Sequence, residues 1–297
     1  MSDHPKDPYQ SLQERLADTM DAARTEAVAK RRERGGRTAR ENLVDLTDGS
    51  SVREYGQLAV AAQRRRREGA ALYADTATDA VITAIGPVNR DLFPGVESQT
   101  ALIINDYTVL AGTQGYFHHR KIDRMLGLAK EDKLPIVMFT EGGGGRPGDT
   151  DVLVSMAGLN VPTFHRWAAL AGVVPRIAVN HGYCFAGNAA LFGAADLRIA
   201  TASSCIGMAG PAMIEGGGLG RWKPQDIGPV SVHRKNGVVD IVVADEAEAV
   251  SVAKRILACV QGPLTQWQAP EPDGLQALMP TNRRYAFDVR KILNLIF

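Results

Sequence analysis

The sequence has few cysteines, almost no net charge and no long apolar run. Its 297 residues hold three cysteines, Cys184, Cys205 and Cys259. They are too few and too widely spaced for a disulfide framework or a CxxC metal site, which favours a reducing compartment. A net charge of +1 predicts neither a nucleic acid nor a membrane surface as partner. No run approaches the ~18 apolar residues of a membrane span, and the polar N terminus lacks a signal-peptide core, so we expect a cytoplasmic protein.

Several common active-site motifs are also missing. There is no GxSxG elbow and no HExxH motif, so serine hydrolases and zinc proteases of those types are excluded. The glycine run 142–145 is not followed by an acidic residue about twenty positions later, which disfavours a dinucleotide site. His118 and His119 are neighbours on a predicted helix and face apart, so we expect no metal site there.

The chain divides into three predicted segments. Residues 1–50 form a charge-rich helical arm and entry segment, with Leu12 and Leu16 one turn apart. Residues 51–262 alternate short β-rich runs with helical ones, which is typical of an α/β core. Residues 263–297 begin as a proline-containing linker and end in a new helical pattern. The predicted strands are 80–85, 100–110, 134–139, 176–180 and 197–200, and the predicted helices of the core are 118–130, 151–159 and 247–260.

Two glycine-rich turns follow predicted strands and precede predicted helices. The first contains Gly142–Gly145, and the second runs from Gly182 to Gly187. Without side chains, backbone N–H groups point at a ligand beside the positive end of a helix, so each turn suits a bound oxyanion. A flexible connector is the alternative for the first turn. A third segment around Gly210 and Pro211 is either a loop of the same cleft or a plain surface loop.

The motifs around these turns resemble the β subunit of propionyl-CoA carboxylase and related acyl-CoA carboxylases. Gly143–Arg146 matches the Gly-Gly-Ala-Arg turn of that family, and Gly182, Cys184 and Gly187 match its Gly-Pro-Cys-Ala-Gly-Gly turn. The resemblance covers roughly residues 36–293. Further matches lie in the segments 36–41, 48–50, 113–125, 209–211 and 285–290.

The resemblance implies a crotonase-like α/β fold, a ββα spiral with an N-terminal helical arm. It also implies transfer of CO2 from carboxybiotin to the α-carbon of an acyl-CoA through a thioester enolate. Biotin would be held on a carrier domain and not attached to this chain, the CoA thioester would be the substrate, and no metal is expected. The implied partners are a biotin carboxyl carrier, a biotin carboxylase and a carboxyltransferase C-half, in a homo- or hetero-oligomer.

The same resemblance assigns roles to individual residues. It implies that the N–H groups of four residues act as oxyanion donors, one set for the thioester and the other for biotin; these are Gly143, Gly144, Ala186 and Gly187. It implies that seven further residues bind substrate; these are Gly142, Gly145, Arg146, Gly182, Phe185, Gly210 and Pro211. The sequence does not decide which turn serves which oxygen.

The sequence also departs from the family pattern. Ala186 stands where the family has glycine, and its N–H can serve only if its φ is negative. Phe185 replaces a small residue and could reshape the acyl pocket. The chain ends before most of a C-half, so we expect it to be incomplete alone. Two alternatives stay open: a self-sufficient CoA-thioester hydratase, hydrolase or decarboxylase using Glu141 or Glu215, and a non-catalytic assembly subunit.

Overall fold

A computed structural model describes residues 7–49, 51–152, 160–268, 273–282 and 284–296. The chain forms two compact units, Met1–Gly262 and Pro263–Phe297. Within the described residues, no helix is both long and apolar enough to cross a bilayer. The predicted functional boundaries at residues 50 and 262 stay predictions. Most of the predicted helix 151–159 lies outside the described residues.

A seven-stranded sheet forms the centre of the first unit. Its strands lie in the order β1-β2-β3-β4-β5-β7-β9. The bounds are Arg53–Tyr55 (β1), Val81–Pro87 (β2), Gln99–Asn105 (β3), Ile136–Phe139 (β4), Arg176–Asn180 (β5), Leu197–Thr201 (β7) and Ile241–Val243 (β9). β1 and β2 run antiparallel to their neighbours, whereas β3, β4, β5, β7 and β9 are mutually parallel. Two short strands, Tyr183–Phe185 (β6) and Cys205–Gly207 (β8), form a separate parallel pair.

Helices cover both faces of this sheet. The helices of the first unit are Pro8–Ala17 (α1), Thr25–Glu33 (α2), Ala39–Leu46 (α3), Gly69–Asp75 (α4), Tyr116–Asp132 (α5), Thr163–Ala168 (α6), Gly187–Gly193 (α7), Pro211–Gly216 (α8), Val230–Asn236 (α9) and Glu246–Ala258 (α10). Short 3₁₀ turns occur at Asp21–Ala23, Ala77–Ala80, Val96–Ser98, Leu110–Gly112, Thr150–Val152 and Pro224–Asp226. The second unit holds Asp273–Leu278 (α11) and Arg290–Ile296 (α12).

Side chains along β3 alternate between the two faces of the sheet, and this explains why the core has two sides. Ala101 and Ile103 face a cluster that includes Ile122 of α5, whereas Leu102 and Ile104 face the opposite cluster with helices α3 and α10. Parallel strands buried on both faces carry continuous apolar runs, as β3 does from Ala101 to Ile104.

Local signals set the ends of several helices. α3 begins with a capping box, in which Thr38 Oγ1 accepts from the Glu41 N–H at 3.0 Å and the Glu41 carboxylate accepts from the Thr38 N–H at 2.7 Å. Asp245 caps α10 by accepting from the Glu248 N–H at 2.9 Å. These caps fix the two helices that cover one face of the sheet.

The structure corrects two of the predicted elements. The predicted strand 100–110 is wrong beyond Asn105, because a turn begins at Asp106, whose carboxylate accepts from the Thr108 N–H at 2.9 Å and whose carbonyl accepts from the Val109 N–H at 3.1 Å. Leu110, Ala111 and Gly112 then adopt left-handed φ values of 49°, 53° and 62°. The helical arm is not one helix; the chain breaks at the 3₁₀ turn Asp21–Ala23 between α1 and α2. The arm also packs on the core, with Val28 of α2 buried.

Candidate functional site

The two glycine turns lie side by side at the carboxyl ends of adjacent parallel strands. The first glycine turn, Gly142–Gly145, follows β4, and the second glycine turn, Gly182–Gly187, follows β5, the next strand in the sheet. Crevices at the carboxyl ends of parallel strands are where open α/β sheets bind ligands. The predicted pair of turns is therefore brought together.

Backbone hydrogen bonds join the two turns directly. The Gly142 N–H donates to the Tyr183 carbonyl at 2.8 Å, and the Phe185 N–H donates to the Gly142 carbonyl at 2.9 Å. The turns approach so closely that a Cβ on Gly144 would lie 2.7 Å from the Cβ of Ala186. Glycine is required at this contact, since real Cβ atoms do not come that near and the φ of Gly144 is +87°.

Three of the four predicted oxyanion donors are already used inside the protein. The N–H of Gly143 donates to the Ala111 carbonyl at 3.1 Å, that of Gly144 to Asn188 Oδ1 at 3.0 Å, and that of Ala186 to the Gly207 carbonyl at 2.9 Å. Ala186 also has a φ of +51°, not the negative value on which its assignment depended. The condition set for Ala186 is therefore not met, and the oxyanion roles of Gly143 and Gly144 stay predictions.

No acceptor is found within the described residues for the N–H groups of Gly187 and Gly145. Gly187 is the first residue of α7, so its N–H has no partner within the helix. Gly145, predicted to bind substrate, also has an unpaired N–H, and open space surrounds its Cα. Gly145 and Gly187 are therefore two backbone donors that remain available to an oxyanion.

Phe185, Gly210 and Pro211, which were predicted to bind substrate, lie together beside the second glycine turn. Phe185 is 6% exposed and stacks on Tyr183 with ring centroids 5.8 Å apart. Gly210 packs against this ring, since a Cβ there would lie 3.5 Å from it, and Pro211 is the first residue of α8. Gly142 is buried, and a Cβ there would lie 2.3 Å from Asn188 Nδ2. Their contacts with a substrate stay a prediction.

Arg146 was predicted to bind substrate, but its guanidinium is buried in ion pairs. It bonds Asp149 at 2.8 Å and pairs with Asp79, and Arg146 is 6% exposed. Burial raises the pKa of Asp149, but the hydrogen bond and charge of Arg146 outweigh it and hold that pKa below its usual value. Arg146 therefore anchors the end of the first glycine turn, and its contact with a substrate stays a prediction.

Glu141, which immediately precedes the first glycine turn, is held by the helical arm. Arg31 of α2 binds both carboxylate oxygens, at 2.9 Å and 2.6 Å. Burial raises the pKa of Glu141 to about 7 although the Arg31 hydrogen bond and charge oppose this. The same guanidinium lies 3.4 Å from Glu246 of α10, which also accepts from the Arg37 N–H at 2.6 Å.

The other reactive side chains of the region are poorly placed for nucleophilic or acid–base chemistry. Cys184 is fully buried, and burial raises its pKa to about 12, so it is a structural thiol. Glu215 is paired with Arg221 at 2.6 Å on the surface. Neither Glu141 nor Glu215 is a free carboxylate, as a hydratase site would need. Within the described ranges, no cluster of three or more potential metal ligands occurs.

Two buried amides complete the site and were not predicted. Asn188 of α7 accepts from the Gly144 N–H and donates to the Thr140 carbonyl at 3.1 Å. The Gln114 backbone pairs with the first glycine turn, and its side chain abuts Gly187 of the second. Both positions depend on contacts across the fold, so no local signal in the sequence could have shown them.

A groove of about 1090 Å³ lies beside the first glycine turn. One wall is the helical arm, and the other includes Tyr107 and Ala111, whose carbonyl accepts from the Gly143 N–H. Arg34 and Arg15 have no carboxylate partner within the described part of the chain. The basic side chains of the groove are Arg15, Arg24, Lys30, Arg31, Arg34 and Arg67, set against three carboxylates.

Comparison with known proteins places these features in a family. The carboxyl transferase domain matches residues 30–297. The methylcrotonoyl-CoA carboxylase beta chain of Dictyostelium discoideum is 28% identical over 88% of this chain and 44% of its own length. The acetyl-/propionyl-coenzyme A carboxylase beta6 subunit of Mycobacterium tuberculosis is 30% identical over 73% of this chain and 44% of its own. The chain thus spans less than half the length of these relatives.

Solved structures agree with the sequence relatives. A single-chain, multi-domain long-chain acyl-CoA carboxylase superposes with a TM-score of 0.92 and 50% identity, over 99% of this chain and 29% of that one. Transcarboxylase 12S superposes with a TM-score of 0.79 over 99% of this chain and 56% of its own, but at 22% identity it supports the fold alone. The predicted crotonase-like α/β fold is confirmed. The chain belongs to the carboxyl transferase domain family.

Proposed function

We propose that this chain is the CoA-facing half of a biotin-dependent acyl-CoA carboxyltransferase. The observation that carries the proposal is the pair of joined glycine turns that leaves the Gly145 and Gly187 N–H groups unpaired. Acyl-CoA carboxylation requires charge to develop on a thioester oxygen, and two fixed backbone donors stabilise such a charge without reorganising. Carboxybiotin, when bound, supplies the CO2 and the base for the α-proton.

In this proposal the chain contributes no acid or base of its own. The Gly145 and Gly187 N–H groups donate to the thioester enolate oxygen or to the ureido oxygen of biotin. The buried ring of Phe185, with Gly210 packed against it, excludes water beneath the reacting carbons. Because Glu141 is bound to Arg31, it holds the turn and does not exchange a proton with substrate.

We place the phosphates of CoA in the basic groove. Arg34 ends helix α2 and has no ion-pair partner among the described residues, so its charge is available to a ligand. Arginine binds phosphate oxygens through paired, charge-assisted hydrogen bonds. The groove borders Ala111, which touches the first glycine turn, so a CoA held there can direct its thioester to Gly145.

The acyl group is proposed to be a long chain. The support is the 50% identity, over 99% of this chain, to a long-chain acyl-CoA carboxylase. The partners are proposed to be a biotin carboxyl carrier, a biotin carboxylase and a C-half, on the same polypeptide or on separate subunits of an oligomer. A cytoplasmic location is supported by three unpaired cysteines, of which Cys259 is exposed.

The test is biotin-dependent decarboxylation of malonyl-CoA by this chain assembled with a carboxyltransferase C-half. We expect turnover only when biotin is added, and higher kcat/KM for carboxylation of long than of short acyl-CoA once the carrier and carboxylase are present. A folded complex that binds acyl-CoA but gives no biotin-dependent turnover would refute the proposal.

A matched pair of variants tests the CoA groove. Arg34→Ala should raise KM for the CoA ester about tenfold, the effect of losing one hydrogen bond to a charged group. Arg32→Ala is the control, because Arg32 lies on the same helix but pairs with Glu41 at 2.6 Å, outside the groove. Equal KM values for the two variants would place the phosphates elsewhere.

A further inference from the structure

One side chain of the helical arm reaches the reacting turn. Arg31 is 9% exposed, and its guanidinium binds both oxygens of Glu141. The helical arm has space for the Arg31 guanidinium because residue 36 is glycine; a Cβ there would lie 2.4 Å from Arg31 Nε. Arg31 Nε also donates to the Arg37 carbonyl at 2.8 Å, and this bond fixes the orientation of the guanidinium toward Glu141.

The carboxylate that Arg31 holds touches both glycine turns. Glu141 is bonded in sequence to Gly142, the first residue of the first turn. Its Oε1 lies against Gly182 of the second turn, where an added Cβ would be 2.4 Å away. A shift of this carboxylate would therefore displace the first glycine turn, which carries the Gly145 N–H. It would also displace Gly182, which begins the second glycine turn and precedes Gly187.

The charges around Arg31 make its position specific. Two buried carboxylates, Glu141 and Glu246, share this one guanidinium. The neighbouring Arg24 is already paired with Asp106 at 2.9 Å, so it does not neutralise either glutamate. A planar guanidinium can bind Glu141 with two parallel bonds and still approach Glu246, whereas the ammonium of lysine cannot reproduce that fork.

We propose that Arg31 is a positioning residue that sets the two oxyanion donors through Glu141, so that the helical arm is part of the catalytic apparatus. This inference rests on the proposed function, because it assumes that the first glycine turn binds an oxyanion. Arg31 acts through another residue and does not touch the reacting atoms.

The arm supplies a matched control for this proposal. Arg40 is also 9% exposed, also pairs with a glutamate, Glu54 at 2.9 Å, and also donates through Nε to a backbone carbonyl, that of Thr19 at 3.0 Å. It anchors the arm but does not touch either glycine turn. Arg31→Lys and Arg40→Lys therefore each replace a guanidinium that binds a glutamate, and both lie in the same helical arm.

The experiment compares the two lysine variants in the complex assembled with a C-half. We expect Arg31→Lys to lower kcat for malonyl-CoA decarboxylation about 10- to 100-fold, the cost of misplacing reacting groups by a fraction of an ångström to 1 Å. KM for the CoA ester should stay within about twofold, since the positive charge is kept. Arg40→Lys should lower the melting temperature similarly but leave kcat within about twofold of the parent.

Hydrogen–deuterium exchange of residues 140–149 provides a readout independent of turnover. We expect faster exchange of this peptide in Arg31→Lys but not in Arg40→Lys. An inactive parent complex would refute the proposed function, and the exchange data would still test the anchoring. Equal kcat values and equal exchange in the two folded variants would overturn the role of Arg31.

Discussion

Replacing Asn188 with leucine removes the side chain that bridges the first glycine turn and helix α7. Asn188 is fully buried and takes the Gly144 N–H at 3.0 Å while donating to the Thr140 carbonyl at 3.1 Å and the Gly112 carbonyl at 3.4 Å. Leucine fills a similar volume but leaves these backbone groups unpaired. At about 1–3 kcal/mol for each group left unsatisfied, the two shorter bonds alone predict a loss of about 3 kcal/mol.

Urea denaturation measures this loss as a lower midpoint with an unchanged m-value. Because the first glycine turn also loses its tether to α7, we expect kcat to fall about 100-fold under conditions where the variant is folded. Gln261→Met is the control: Gln261 is 7% exposed and donates to the Val88 carbonyl at 2.9 Å, away from both glycine turns. A loss below about 1 kcal/mol in Asn188→Leu, or equal kcat in the two variants, would refute the reasoning.

Three further predictions concern substitutions of single residues. Gly144→Ala should lower the free energy of unfolding by about 1–3 kcal/mol or more, because the φ of Gly144 is +87° and the added Cβ would clash with Ala186. Gly145→Ala should leave the free energy of unfolding in urea nearly unchanged, because nothing lies within 4 Å of the added Cβ. Burial raises the pKa of Glu141 from 4.5 to about 7, so the free energy of unfolding should fall as pH rises through this range; Glu141→Gln should abolish that slope. Burial lowers the pKa of His119 from 6.5 to about 4, so stability should fall by about 3 kcal/mol on acidification from 6.5 to 4, and His119→Gln should remove this loss.

The parts of the fold that the sequence predicted are those with a strong local pattern. The run 176–180 is apolar with a turn on each side, and it is observed as β5 with the predicted bounds. The amphipathic run 118–130 lies within the observed α5. The strand predicted over 100–110 failed at its end because the apolar residues Val109 to Ala111 lead into a left-handed turn, and hydrophobicity does not encode the sign of φ.

The site was predictable as a location but not as a set of donors. Consecutive glycines after an apolar strand mark a turn that a ligand can approach, and the two turns do lie together. Which N–H groups remain free depends on acceptors far along the chain, such as the carbonyls of Ala111 and Gly207. The ion pair that buries Arg146 was unpredictable for the same reason, because its partner Asp79 lies 67 residues away in sequence.

A site built from backbone donors must obtain its accuracy from what holds the backbone. A catalytic side chain can be adjusted by choosing a rotamer, but an N–H group moves only with its turn. The first glycine turn is flanked on one side by Glu141, bound to Arg31, and on the other by Arg146, bound to Asp149 and Asp79. Buried ion pairs are poor sources of net stability, since desolvation offsets most of the attraction, but removing one partner is costly. Two such pairs, one at each end of a glycine run that has little stiffness of its own, are therefore better explained by the geometry they impose than by the stability they add.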